Sequence, residues 1–236
     1  LPFPELISLP LSYAAILAEF SKIIKKGYNT TYSLFSPFML NFFKKKRKKD
    51  SKLDYLVVGL GNPGEKYRRT AHNAGFRVVS LLRKEEELPH FEKDNTLSAL
   101  LSKGVIDKKK IALLLPLTFM NRSGEATGKA VKRFLNSSSQ LIVVHDDTDL
   151  SMGKIKFSFQ RGSAGHKGVQ SIIDHLRSKS FYRLRVGVGL RDEKAVNTVL
   201  KDLPQTINEV EKKAASKLKE KILGELSSET IQLKDK

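Results

Sequence analysis

The chain has 236 residues, 40% of them hydrophobic, enough to bury one sizeable core, so one domain with appendages is the expected count. It contains no cysteine, which excludes disulfide frameworks, zinc–thiolate sites and cysteine nucleophiles. Forty-three Lys and Arg against twenty-five Asp and Glu give a net charge of +18, an excess that suits a polyanionic partner, nucleic acid first.

The first fifty residues hold nine basic and three acidic side chains, so the surplus persists in the remainder. Their apolar stretches are interrupted by Glu5, Glu19, Lys22, Lys25 and Lys26, and none approaches the ~18 residues needed to cross a bilayer. Residues 11–24 fit a short amphipathic helix, but its charge follows the apolar part, whereas a secretory signal carries charge in front. The basic run 44–49 reads as a solvated linker, with an RNA or membrane contact as the alternative. Residues 1–50 are therefore expected to be an N-terminal extension and basic linker, disordered or the product of a mis-set gene start. Residues 51–236 are expected to form the folded domain, closing on a C-terminal helix.

From residue 51 onward, strand and helix patterns alternate. A β-branched-rich strand is expected over 53–60 and a helix over 74–88, with Phe76, Val79 and Leu82 at helical spacing. Two strands, 97–105 and 111–115, are joined around Asp107 and Lys108. A helix follows over 123–135, then a short buried strand over 141–144 and a half-exposed strand over 154–159. Next come a short helix over 168–176, a glycine-containing strand over 182–190 and a charged helix over 206–223. This alternation predicts a single-domain, three-layer α/β/α fold on a twisted mixed sheet.

Polar clusters stand at the element ends, where ligands bind in open α/β sheets. After the first strand, Gly59-x-Gly61-x-x-Gly64 fits the dinucleotide-binding expression. That fingerprint needs its third glycine in the first turn of a helix. Here Pro63 and the polar stretch 65–72 postpone the helix. The same segment brings Asn62, Tyr67 and His72 close together in sequence. Asn121, in the stretch 116–124, suits a helix N-terminal cap. His145-Asp146-Asp147-Thr148-Asp149 holds three carboxylates, but EF-hand spacing fails, so a hydrogen-bonding role for one Asp is more economical. The small-residue loop 161–168 lets a backbone approach a ligand closely. His90 and His175 show no partner in the pattern.

The ordered set Gly-Leu-Gly-Asn-Pro-Gly with Tyr67 and His72-Asn73-Ala74-Gly75, Thr118-Phe119-Met120-Asn121-x-Ser123-Gly124, His145-Asp146-Asp147, Gly165-His166-x-Gly168 and Tyr182-Arg183-Leu184-Arg185-Val186-Gly187 resembles the bacterial-type peptidyl-tRNA hydrolase family. The resemblance covers about residues 53–203. It implies cleavage of the ester joining a peptide to the 3′ ribose of tRNA, releasing tRNA from stalled or dropped-off chains. In that scheme His72 is the general base that activates water, Asp146 orients its imidazole, and Asn62 completes the catalytic set. Tyr67, Met120, Asn121, His166 and Lys167 line the substrate cleft, and Lys156 and Arg185 meet the tRNA phosphates. The resemblance further implies a cytoplasmic monomer with peptidyl-tRNA as partner, no metal or cofactor, no membrane association and no obligate protein partner.

One residue departs from the family pattern. Lys167 stands where the family usually has Asn, and an ammonium donates but cannot accept a hydrogen bond. The substitution leaves open a relative that binds RNA without hydrolysing it, since the family look includes plastid intron-splicing proteins. His72 together with Asp146 favours the enzyme, because a pure binder has no chemical need for the pair.

Overall fold

The computed structural model describes residues 51–189, 207–224 and 231–232. The expectations for residues 1–50 lie outside the described residues. Strand β1 (Tyr55–Gly59) is followed by helix α1 (Ala74–Glu85), strands β2 (Glu92–Asp94), β3 (Ala99–Ile106) and β4 (Lys109–Pro116), and helix α2 (Ser123–Phe134). Then come β5 (Leu141–Ser151), β6 (Ile155–Phe159), α3 (Lys167–Leu176), β7 (Tyr182–Gly189), α4 (Ile207–Leu223) and β8 (Ile231–Gln232).

Among the described residues the strands form one mixed sheet in the order β2-β3-β4-β1-β5-β7-β6-β8. β1 lies parallel to β4 and β5, and β5 parallel to β7, while β2–β3, β3–β4 and β6–β7 are antiparallel. Successive side chains on a strand point to opposite faces. Accordingly Leu56 and Val58 pack with Ala126, Ala130, Phe134, Val169 and Ile172 on the α2/α3 side. Val57, Ile142 and Val144 pack with Val78, Leu82, Ala214 and Leu218 on the α1/α4 side. Strands buried on both faces need apolar residues at every position, which is why β1 reads as an unbroken apolar run. The result is the three-layer α/β/α fold expected from the sequence.

Three boundaries differ for identifiable reasons. β5 runs on to Ser151 instead of stopping at Val144. Its register against β7 shifts between Asp147 and Ser151, and the close approach requires glycine on β7, since a Cβ at Gly187 or Gly189 would strike the Ser151 or Thr148 carbonyl. His145, Asp146 and Asp147 therefore lie within a strand, not beyond its end. α1 stops at Glu85 because Glu87 is left-handed at φ 49° and the buried Leu88 turns away. β2 is three polar residues at the sheet edge, recruited by backbone pairing and invisible to apolar alternation.

The glycine pattern after β1 has its own structural purpose. A Cβ at Gly59 would meet the Gly75 carbonyl oxygen at 2.5 Å, and one at Gly61 would meet the Phe76 ring at 2.7 Å. These glycines let the start of α1 press onto β1. Gly64, at φ 109°, precedes a single-turn 3-10 helix, and α1 begins only at Ala74. The helix context of a dinucleotide fingerprint is not met.

Candidate active site

Two single-turn 3-10 helices, Glu65–Tyr67 and Ala71–Asn73, connect β1 to α1 and carry Tyr67 and His72. His72 is half-buried, and its Nδ1 lies 2.9 Å from Oδ2 of Asp146, a carboxylate only 1% exposed in β5. The other oxygen, Oδ1, lies 2.9 Å from Nε2 of His166. His166 caps α3: its Nδ1 accepts from the backbone N–H groups of Gly168 and Val169 at 3.1 and 3.2 Å. With Nδ1 acting as acceptor, the ring proton sits on Nε2 and is donated to Asp146. Asp146 thus spends one oxygen on each imidazole. His72 donates through Nδ1, which leaves its Nε2 lone pair free to take a proton. Burial opposes the Asp146 charge, but the His166 and His72 contacts outweigh it and hold the carboxyl well below the usual carboxylate range.

His72, Asp146 and His166 each present a metal-ligand type of atom within 4.8 Å of the others. The hydrogen bonds just described account for that convergence.

Asn62 is 9% exposed and held from three sides. Its Oδ1 accepts from the Met120 N–H at 2.9 Å, its backbone N–H donates to Asn73 Oδ1, and its carbonyl accepts from Asn73 Nδ2. The acceptor end of the amide is therefore occupied by protein, and the Nδ2 donor remains for a ligand. Met120 is buried, and its Sδ fills the space that a Cβ on Gly168 would need. Asn62, Met120 and the start of α3 are thus packed as one unit.

Asn121 is not a cap. It lies in a 3-10 turn, Met120–Arg122, and α2 begins at Ser123 with Arg122 at the N-cap and no side-chain cap bond. The exposed Asn121 and Lys167 instead line one cavity of about 430 Å³ together with Ser163, Gly165 and Gln170. Lys167 opens α3, where the helix dipole presents its positive end and disfavours a cation. Tyr67 is half-buried on the turn preceding His72, with the Lys66 ammonium 4.9 Å from its ring.

Lys156 and Arg185 are cross-strand partners on β6 and β7. Arg185 also pairs in register with His145, next to Asp146. Lys156 is exposed, whereas Arg185 Nε is bound to Asp147 Oδ2 at 2.6 Å. Asp147 is thereby assigned to an arginine. His175 has a partner after all, the Ser171 carbonyl at 2.9 Å.

The structure adds residues to which sequence patterns gave no role. Asn73 fixes the Asn62 backbone, and its only signal was adjacency to His72. His145, 1% exposed, meets the Asp146 carbonyl through Nδ1 at 2.6 Å, and its ring stands edge-on to His166 at 4.7 Å. Burial, reinforced by the nearby His166 and Arg183, pushes the His145 pKa well below its ordinary 6.5.

A family model for peptidyl-tRNA hydrolase matches residues 56–234. A peptidyl-tRNA hydrolase of Thermodesulfovibrio yellowstonii is 45% identical over 136 residues, spanning 57% of this chain and 71% of the relative. A chloroplastic peptidyl-tRNA hydrolase of Arabidopsis thaliana is 46% identical over 140 residues, 58% of this chain and 47% of that protein. The crystal structure of a peptidyl-tRNA hydrolase from Acinetobacter baumannii superimposes with a TM-score of 0.67 at 31% identity, covering 74% of this chain and 91% of that one. The matched span starts within β1 and runs past β8, taking in His72, Asp146 and Asn62, and on these grounds the chain belongs to the peptidyl-tRNA hydrolase family.

Proposed function

We propose that this peptidyl-tRNA hydrolase cleaves its ester with a water molecule activated by His72. The observation that carries the proposal is the His72 Nδ1 to Asp146 Oδ2 hydrogen bond, with the carboxylate buried and the opposite ring nitrogen bound to none of the described residues. Nε2 removes a proton from water as the oxygen attacks the ester carbonyl. The buried Asp146 carboxylate favours the imidazolium that results. The tetrahedral oxyanion receives the Asn62 Nδ2 donor, aimed by the Met120 and Asn73 bonds, and Asn121, next in the chain to Met120, would supply a second amide. Collapse breaks the bond to the ribose 3′ oxygen, which takes the proton back from His72. A free peptide acid and a free tRNA leave. General acid–base catalysis of this kind contributes about 10²–10⁴-fold.

Tyr67 and Met120 would shape the cleft, His166 would hold Asp146 in place, and Lys156 with Arg185 would engage tRNA phosphates.

The reading is tested by hydrolysis of an N-acetyl-aminoacyl-tRNA, with the unblocked aminoacyl-tRNA as control and Lys167→Asn beside the wild type. Cleavage of the blocked ester alone is expected. A folded protein that binds tRNA and leaves the ester intact, with activity appearing only in Lys167→Asn, would instead identify a non-hydrolytic RNA binder.

A further inference from the structure

The segment carrying Tyr67 and His72 consists of two isolated 3-10 turns, and such short pieces have little hydrogen-bond ladder of their own. Besides the His72–Asp146 and Asn73–Asn62 contacts, a side chain of α1 grips its backbone. Arg77, in the first turn of α1, donates from Nη1 to the carbonyls of both Arg68 and Thr70 at 2.8 Å each. Its Nε donates to Oε1 of Glu211 at 2.7 Å, while the buried Nη2 has no partner among the described residues. Glu211 belongs to α4, 134 residues away in sequence, and is 6% exposed. Burial raises its pKa and the Arg77 charge opposes that rise.

The gripped carbonyls lie in the link between the two turns. The Thr70 carbonyl also accepts the Asn73 N–H, and the Thr70 N–H and hydroxyl both donate to the Tyr67 carbonyl. A planar guanidinium with several donors in fixed directions can hold two carbonyls and a carboxylate together, which a single-point ammonium cannot. A cleft of about 900 Å³ opens beside this junction and reaches from Glu209 and Lys212 of α4 to Asn62 and Gly64.

We propose that Arg77, clamped by Glu211, is a positioning residue for His72 and Tyr67, so that helix α4 works as part of the catalytic apparatus as well as covering the sheet. The proposal rests on His72 as the base. A second ion pair tying α4 to the end of α1, Lys219 to the capping residue Glu86 at 2.7 Å, lies at the other end of α1 from the 65–73 segment and supplies the control.

The test is single-turnover cleavage of N-acetyl-aminoacyl-tRNA by the full chain, with tRNA affinity and thermal unfolding measured in parallel. Arg77→Met and Glu211→Ala are expected to slow cleavage at least fivefold at a temperature where both are folded, with tRNA affinity changed less than threefold. Glu211→Gln, which keeps an acceptor oxygen, should recover part of the loss, and Lys219→Met should cost stability without slowing cleavage. Slowing of less than fivefold in Arg77→Met, or an equal slowing in Lys219→Met, overturns the proposal. Should Arg77→Met fail to fold, equal rates for Glu211→Ala and Glu211→Gln overturn it instead. A wild type that leaves the ester intact defeats the hydrolytic mechanism itself, whereas a wild type matched by Arg77→Met defeats only the positioning role.

Discussion

Asp146 and His72 meet at 2.9 Å through Oδ2 and Nδ1, and the same carboxylate holds His166 through its other oxygen. One buried charge therefore fixes two rings. Asp146→Asn removes that charge and offers an N–H to one imidazole, which must then flip its tautomer or lose its bond. Cleavage should fall about 10²–10⁴-fold while tRNA affinity holds. Single-turnover rates and filter binding on the same preparation check both halves.

Asn62 is predicted to act through its Nδ2, since Met120 occupies its Oδ1. Asn62→Asp keeps the acceptor for the Met120 N–H but replaces the donor with a negative oxygen. Loss of one such donor costs about 10²–10³-fold in the chemical step. The expected signature is a fall in kcat larger than any rise in KM, measured at a temperature where the variant is folded, since a carboxylate at this buried position also costs stability.

His145 makes stability acid-sensitive. Its folded pKa lies well below 6.5 because burial, His166 and Arg183 all disfavour the imidazolium. Below about pH 6.5 the unfolded chain binds a proton that the folded chain refuses, so stability present above that pH is lost as pH falls, by up to about 1.4 kcal/mol per unit. Asp146 adds a second loss once pH drops below its unfolded value of 3.8, because its folded pKa is lower still. His145→Asn keeps a donor for the Asp146 carbonyl and carries no titrating group. Urea unfolding from pH 7.5 to 5 should show a shallower decline for His145→Asn than for wild type.

The layers and the pairing of His72 with Asp146 were legible because they depend on local pattern and on a strongly marked motif order. β1 announced itself by apolar residues buried on both faces. Asn121 was less legible: a cap and a cavity-lining amide have the same sequence signature, and only the start of α2 at Ser123 separates them. His145 and Asp147 were seen as members of a polar cluster, yet their assignments to the Asp146 backbone and to Arg185 depend on how β5 continues beside β7. The Arg77–Glu211 contact had no signal, since each residue alone looks like an ordinary charge on a helix and their meeting is set by the packing of α1 on α4.

Lys156 and Arg185 should differ in their tRNA phenotypes despite facing each other across two strands. Lys156 is exposed, and Lys156→Ala should weaken tRNA binding and reduce the slope of log K against log salt by about 0.7–0.9 if one phosphate contact is lost. Arg185→Ala also strips Asp147 of its partner at 2.6 Å, leaving a buried carboxylate. That variant should lose stability as well as affinity. Salt titrations of binding with parallel melting curves distinguish the two.

The most direct test of the account is single-turnover hydrolysis of N-acetyl-aminoacyl-tRNA by His72→Ala beside wild type, with folding and tRNA binding verified for both. The general-base role predicts a loss of at least about 10²-fold in rate with binding retained. A folded, tRNA-binding His72→Ala that cleaves within a few-fold of wild type would contradict it.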